Sequence, residues 1–264
     1  MLNFISLYSG STGNCLFVQT QNTKLLIDAG VSAKRIISAL STYETDITDI
    51  DAILVTHEHS DHIQSLGTLS KKYKLPVFAN SETWDAMPMQ KQKIEEKNQK
   101  KFFIQEKFEV GDLTIEPFPI PHDAANPCGF TLYHEKEKIS IATDLGHITK
   151  ETLKHLEGSA FLMLEANYDP EILKSGSYPY VLKSRIAGPK GHLPNELAGQ
   201  TISYLLHTGL TQVMLGHLSR ENNFPELAYK TVIDELIRNN FDENSLSLSV
   251  ANRDCPSKLV QISC

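Results

Sequence analysis

The segment THEHSDH (56–62) constrains this chain more than any other part of its sequence. Its HxHxDH pattern places four possible metal ligands within six residues, namely His57, His59, Asp61 and His62. Imidazole and carboxylate groups are the usual ligands of Zn²⁺ and related divalent ions. The pattern follows the apolar run 51–57, DAILVTH, which is typical of a strand buried on both faces. Because active sites of α/β folds often lie beyond strand carboxyl ends, the segment predicts a metal site there.

Three further side chains that can bind a metal also follow apolar runs. His122 comes after EPFPIP, Asp144 after KISIAT and His217 after VMLG. A single histidine or aspartate at such a place is more often a capping or surface residue. Three of them beside an HxHxDH pattern share one explanation, which is that they complete the same site. We therefore expect all seven side chains to converge.

The composition favours a globular chain. Of 264 residues, 25 are Lys or Arg and 32 are Asp or Glu, giving a formal charge of −7, and 41% are hydrophobic. This excludes a disordered chain. No apolar stretch approaches the roughly 18–20 residues of a membrane span, and we expect no secretory signal and no membrane contact. The four scattered cysteines form no CxxC pair, which suits a reducing cytosol, so a cytoplasmic protein is expected.

The order of apolar and turn-forming runs predicts an α/β fold. Strands are predicted in FISLY, CLFVQT, KLLIDAG, DAILVTH, PVFAN, FFIQ, LTIEPFPI, GFTLYHE, KISIATD, AFLMLEANY, QVMLGH and LSLSV. Helices are predicted from the N-cap Ser32 to Leu40, from the histidine cluster to Tyr73, after Ser81 as a cap, over 194–208 and from Pro225 to Arg238. This order favours two sheets packed face to face with helices outside, in one domain over residues 1–264.

The charged segment 90–101, QKQKIEEKNQKK, lacks a long apolar stripe. Such a segment is usually a solvated surface, and a nucleic-acid contact is the alternative. The acidic net charge excludes binding of nucleic acid by bulk charge. A phosphate partner would therefore need a local basic or metal site.

Several motifs resemble those of a known family. THEHSDH resembles the signature of the metallo-β-lactamase fold superfamily, and LLIDAG resembles its first motif, with Asp28 supporting the metal loop. SGSTGNC, PHDAANPCGF, ATDLG, EANYD, GHLPNE and GHLSRENN together resemble the YycJ/WalJ branch. The resemblance covers nearly the whole chain and implies an αββα sandwich of two mixed sheets. That branch is associated with metal-dependent 5′ to 3′ exonuclease activity on DNA, and its metal site is similar to that of tRNase Z.

By that resemblance, the seven side chains would hold two divalent ions. They would divide into His57, His59 and His122 for one ion, Asp61, His62 and His217 for the second, and Asp144 as a bridge. Two ions roughly 3.5–4 Å apart can generate a hydroxide, clamp a phosphate and stabilise the leaving oxygen. Mixed nitrogen and oxygen ligands accept Zn²⁺, Mn²⁺ or Fe²⁺.

The resemblance also implies a pair of residues for proton transfer. His192 in GHLPNE and Glu165 in LMLEANY match the histidine and glutamate of tRNase Z-like enzymes. A carboxylate partner would hold the imidazole tautomer and raise its pKa, which suits a general acid. Lys183, Arg185 and Lys190 lie just before His192, either as an ordinary surface segment or as a phosphate clamp.

Three functions remain open at this point. The first is a dinuclear metal phosphodiesterase, with Asp61, His192 and Glu165 in the chemistry and a nucleic acid, DNA rather than RNA, as substrate. The second is a small-molecule hydrolase, such as a thioesterase, lactonase or cyclic phosphodiesterase, which would not need the His192–Glu165 pair. The third is a binding protein with a structural metal site, against which seven open ligands argue. The absence of a cysteine ligand disfavours β-lactams, and the sequence does not predict the oligomeric state.

Overall fold

The apolar runs form two seven-stranded sheets in this computed structural model, which describes residues 1–241 and 246–262. The strands of the first sheet are β1 (Leu2–Tyr8), β2 (Cys15–Gln19), β3 (Lys24–Ile27), β4 (Ala52–Leu54), β5 (Val77–Ala79), β6 (Gln99–Lys101) and β14 (Val260–Ile262). The strands of the second are β7 (Phe108–Val110), β8 (Leu113–Pro119), β9 (Cys128–His134), β10 (Glu137–Ala142), β11 (Phe161–Glu165), β12 (Gln212–Gly216) and β13 (Ser247–Val250). Their spatial orders are β14-β1-β2-β3-β4-β5-β6 and β13-β12-β11-β10-β9-β8-β7.

Both sheets are mixed. In the first, β1 to β3 pair antiparallel and β3 to β6 pair parallel. In the second, β7 to β10 pair antiparallel and β10 to β13 pair parallel. Two successive antiparallel pairings make β8 and β10 run in the same direction. The carboxyl ends of β8, β10, β11 and β12 therefore meet at one edge of the second sheet.

Helices cover the outer faces of the two sheets. They are α1 (Ala33–Ser41), α2 (Ser60–Ile63), α3 (Leu66–Tyr73), α4 (Ser81–Ala86), α5 (Pro88–Lys91), α6 (Lys150–Leu156), α7 (Pro170–Ser175), α8 (Tyr180–Ile186), α9 (Asn195–Leu206) and α10 (Pro225–Arg238), with 3₁₀ turns at Ile47–Asp49 and Glu96–Asn98. The predicted cap Ser32 is confirmed, because its hydroxyl accepts a hydrogen bond from the Arg35 N–H.

Three apolar layers hold these elements together. Phe4 of the first sheet and Phe161 of the second pack with ring centroids 4.5 Å apart in the layer between the sheets. Ile36 and Leu69 belong to the layer under α1 and α3, and Ile202 belongs to the layer under α9 and α10. The order of layers is helix, sheet, sheet, helix, which confirms the predicted sandwich.

The strand predicted for FFIQ is wrong. The structure instead has β6 (Gln99–Lys101), which ends immediately before FFIQ (102–105) and forms the end of the Lys-rich segment. Charged side chains are typical of an edge strand, because one side of such a strand faces solvent. Phe102 is buried instead as a loop residue whose ring stacks on Phe108, while Phe103 is 63% exposed. The rest of the Lys-rich segment is a charged surface on which Lys91 pairs with Asp85 at 2.9 Å.

Two local predictions need correction. The helix after the histidine cluster is split into α2 and α3, because Ser65 N–H donates to the Ala29 carbonyl at 2.9 Å between them. The cap of α4 is Asn80, whose side chain accepts from Thr83 N–H at 2.9 Å, and Ser81 is the first residue of that helix. Over residues 1–241 and 246–262, no helix combines the length and apolar character needed to cross a membrane.

Candidate metal centre

The seven predicted metal-binding side chains converge at one edge of the sandwich. Four follow β4 of the first sheet, and the others follow β8, β10 and β12 of the second. Three groups of three of them place possible ligand atoms within 4.8 Å of one another, and a fourth group joins Asp144 and His217 to Glu165 and His192. The pairing of parallel strands explains this convergence, because it brings distant parts of the chain to the same edge.

His57, His59 and His122 form the first group. His59 Nδ1 and His122 Nε2 lie 3.3 Å apart, so two ring nitrogens face one another. The other nitrogen of His122 lies 3.1 Å from the Gly191 carbonyl, to which it donates. That contact fixes the tautomer and leaves Nε2 with a free lone pair, as in metal-binding histidines.

Asp61, His62 and His217 form the second group. Asp61 Oδ2 lies 3.5 Å from His62 Nε2 and 3.6 Å from His217 Nε2. His62 Nδ1 lies 2.7 Å from Asp28 Oδ2, and Asp28 also accepts from the N–H and hydroxyl of Thr56 at 2.9 and 2.8 Å. Asp28 therefore orients both the loop and the ring of His62.

Asp144 lies between the two groups and is buried. Its Oδ2 is 3.2 Å from His62 Nε2, and its Oδ1 is 3.3 Å from His217 Nε2 and 3.8 Å from His122 Nε2. This one carboxylate is thus close to a histidine of each group, as a bridging ligand would have to be.

Three buried atoms of this cluster lack a hydrogen bond of good geometry within the described part of the chain: His57 Nε2, Asp144 Oδ2 and His217 Nε2. Buried polar atoms are satisfied in the great majority of cases, so these three need another partner. A divalent cation would satisfy all of them, and imidazole and carboxylate are its usual ligands. The residues present therefore fit a divalent metal.

The charges of the cluster also favour a cation. Burial opposes the charged form of His217, but Asp144, Asp61 and Glu165 outweigh this effect and raise its pKa to about 10. Burial would raise the pKa of Asp144, but His217 and His62 hold it well below its usual range. Burial, reinforced by His62, lowers the pKa of His57. The carboxylates thus create a site that stabilises positive charge.

Glu165 joins the metal-binding cluster to His192. Its Oε1 lies 2.8 Å from Nδ1 of both His192 and His217. Its Oε2 accepts from the N–H groups of Leu145 at 2.9 Å and Leu193 at 3.2 Å. Because Oε1 accepts from both rings, each ring carries a proton on Nδ1, and the His192 Nε2 is left for other contacts.

Five of the seven candidate ligands line a cavity of about 340 Å³, namely His59, Asp61, His122, Asp144 and His217. His192 lines it, together with Ser11, Arg185 and Arg220. Arg185 donates to the two carboxylate oxygens of Asp123 at 2.5 and 3.1 Å. Of the basic residues predicted as surface or phosphate clamp, Arg185 is a lining residue of this cavity, whereas Lys183 and Lys190 are not.

Sequence reasoning missed a set of buried asparagines behind the site. Asn167 Nδ2 donates to the His217 carbonyl at 2.6 Å. Asn223 Nδ2 lies within hydrogen-bonding distance of the Ala166 and Asn167 carbonyls and of Asn195 Oδ1, at 2.9, 3.1 and 2.8 Å. These residues lie in the motifs EANYD, GHLPNE and GHLSRENN, but asparagine in a loop is also typical of a turn.

Known proteins resemble this chain over most of its length. The family model described as β-lactamase superfamily domain matches residues 23–218. The chain is 39% identical to Exodeoxyribonuclease WalJ of Streptococcus pneumoniae over 232 residues, 87% of this chain and 86% of that protein. It is 38% identical to Exodeoxyribonuclease YycJ of Bacillus anthracis over 240 residues, 91% of each. The metallo-β-lactamase fold protein YhfI of Bacillus subtilis superposes with a TM-score of 0.72 and 18% identity, covering 98% of this chain and 100% of that one.

Proposed function

The chain belongs to the β-lactamase superfamily, and from that premise we propose that it is a metal-dependent exodeoxyribonuclease. The observation that carries the proposal is the convergence of seven imidazole and carboxylate groups, joined through Glu165 to His192. Relatives similar over most of their length are named exodeoxyribonucleases, which supports DNA as the substrate. We also propose that the enzyme degrades DNA in the 5′ to 3′ direction. We further propose that residues 1–264 form one domain and that the protein is cytoplasmic.

We propose that the site holds two divalent ions. His57, His59 and His122 would bind one, Asp61, His62 and His217 would bind the other, and Asp144 would contact both. Zn²⁺ and Mn²⁺ suit this mixture of nitrogen and oxygen ligands, and Fe²⁺ is compatible with it. When bound, such a pair of ions activates water and neutralises charge on the phosphate.

The chain's own residues supply orientation and a proton. In this proposal His192 donates the proton from Nε2 to the leaving oxygen of the strand, because Glu165 holds its Nδ1–H. A carboxylate that accepts from Nδ1 also stabilises the imidazolium form of such an acid. Arg220 lines the same cavity and provides positive charge for the phosphate, whereas the guanidinium of Arg185 is paired with Asp123.

The test is a matrix of metals and substrates. Metal-free protein is reconstituted with Zn²⁺, Mn²⁺, Fe²⁺ or Mg²⁺ and assayed on single- and double-stranded DNA and RNA, on bis-p-nitrophenyl phosphate, and on thioesters and lactones. DNA labelled at either end reports polarity. We expect mononucleotide release from DNA with at least one of the metals. Hydrolysis of thioesters or lactones without nuclease activity would instead establish a small-molecule hydrolase.

A further inference from the structure

A second cavity lies beside the metal-binding cavity and is not used by the mechanism above. Its volume is about 420 Å³, slightly larger than the first. Consecutive residues reach the two spaces, because Asn167 lines the metal-binding cavity and Tyr168 lines the second. The two cavities are therefore neighbours.

One helix separates the two cavities. On α8, Leu182, Arg185 and Ile186 line the metal-binding cavity. Tyr180, Lys183, Ser184 and Ala187 in the same segment line the second cavity. This alternation follows from the helical repeat, which directs residues three or four apart to the same face. The two cavities therefore lie on opposite sides of α8.

The lining of the second cavity is apolar and aromatic at its base and basic at its rim. Leu173 and Tyr168 are buried there, while Tyr180 is 83% exposed. Lys174 and Lys183 supply two positive charges, and Lys183 Nζ donates to the Lys174 carbonyl at 2.7 Å. Among the residues that the structure describes, no Asp or Glu lines this cavity, although the whole chain carries 32 acidic residues.

We propose that the second cavity binds a nucleobase of the substrate strand, stacked on Tyr180, while Lys174 and Lys183 contact the neighbouring phosphates. This inference rests on the proposed nuclease function and specifies how that site holds the strand beyond the bond that is cut. Aromatic platforms beside basic side chains are how proteins bind single strands without reading sequence.

The first experiment compares Tyr180→Ala and Tyr180→Phe in the metal-reconstituted enzyme. Loss of one stacking platform should lower kcat/KM on a single-stranded oligonucleotide about tenfold or more, and Phe should restore it. Bis-p-nitrophenyl phosphate has no second nucleotide, so its hydrolysis should be unchanged in both variants. Tyr204→Ala is the matched control, because Tyr204 is 49% exposed on α9 and lines neither cavity.

An abasic residue scanned along the oligonucleotide locates the bound base. An abasic residue at one position should reduce kcat/KM for the wild-type enzyme, and the same oligonucleotide should cause no further reduction in Tyr180→Ala. In Lys174→Gln/Lys183→Gln, the slope of log KM against log salt should fall by about 0.7 for each phosphate that the protein no longer binds. Two results would overturn the inference: equal losses of kcat/KM on the oligonucleotide and on the small diester in Tyr180→Ala, or effects of the abasic site and of Tyr180→Ala that add independently. Either result would leave the proposed nuclease function intact. A wild-type enzyme without nuclease activity would overturn both proposals.

Discussion

His192 and His217 share one carboxylate oxygen, since Glu165 Oε1 lies 2.8 Å from Nδ1 of each ring. In the proposed mechanism, one ring is a metal ligand and the other is the general acid. Glu165 therefore fixes the position of the acid relative to the metal site through two hydrogen bonds. Since Glu165 is fully buried and its other oxygen accepts two backbone N–H groups, this position is rigid.

The first prediction concerns His192→Ala. Its metal content should remain near normal, while kcat on DNA should fall about 10²- to 10⁴-fold, the usual contribution of general acid catalysis. Hydrolysis of a p-nitrophenyl phosphodiester should fall much less, because p-nitrophenolate leaves without a proton. Elemental analysis and the two kinetic assays measure these effects. His207→Ala, which removes an exposed histidine at the end of α9, is the control and should retain full activity.

Equal losses on both substrates would mean that His192 positions the phosphate. No loss on either would show that the proton-transfer role is wrong, and would favour the small-molecule hydrolase.

The second prediction concerns Asp61→Asn, which removes a charge without changing shape. Since Asp61 faces His62 and His217 across 3.5 and 3.6 Å, the substitution should weaken metal binding there and reduce kcat on the order of 10²-fold or more. The metal-free variant should still unfold cooperatively, because Asp61 is not part of the core, but at a lower temperature, because it no longer stabilises the charged form of His217. Asp85→Asn is the matched control, since it loses only an exposed pair with Lys91. Normal activity with full metal content in Asp61→Asn would contradict the dinuclear site.

The third prediction is that metal binding releases protons. Without a cation, the pKa of His217 is about 10, so at neutral pH this ring holds a proton that a metal must displace. Affinity should therefore rise with pH, by about tenfold per pH unit for each proton displaced, and fall as pH is lowered. Calorimetric titration with Zn²⁺ in buffers of different ionisation enthalpy counts the protons. Affinity that is independent of pH over the neutral range would be inconsistent with this cluster as the binding site.

The fourth prediction concerns Asn223→Ala. It removes a buried amide that contacts two backbone carbonyls and Asn195, so the free energy of unfolding should fall by about 2 kcal/mol. Urea denaturation measures the change. Asn252→Ala is the control, because its side chain makes only an exposed hydrogen bond of 3.5 Å, and it should change stability by less than about 0.5 kcal/mol. Equal effects of both variants would show that the Asn223 network adds nothing.

The sequence predicts the convergence of the seven candidate ligands well because their signal is local. His57 and His62 belong to one dense motif, and His122, Asp144 and His217 each follow an apolar run that proves to be a strand. Hydrophobic patterning likewise predicts the two sheets, since buried strands need apolar side chains whatever their neighbours are.

The remaining features depend on contacts between distant segments. Asp144 and His217 have φ values of +59° and +55°, a conformation that non-glycine residues rarely adopt and that no motif encodes. The His217 N–H is held there by the Ser9 hydroxyl at 2.8 Å, from the loop after β1 of the other sheet. The strand prediction for FFIQ (102–105) is wrong for a similar reason, because residues 99–101, and not FFIQ, pair with β5.

The position of β14 has a consequence for the synthesis of this protein. The candidate ligands extend along the chain from His57 to His217, and β14 closes the first sheet by pairing with β1. A nascent chain that has emerged only as far as β6 carries the HxHxDH segment but neither Asp144 nor His217. The candidate site is therefore complete only when the chain has been made as far as His217, and the first sheet is complete only when β14 has followed.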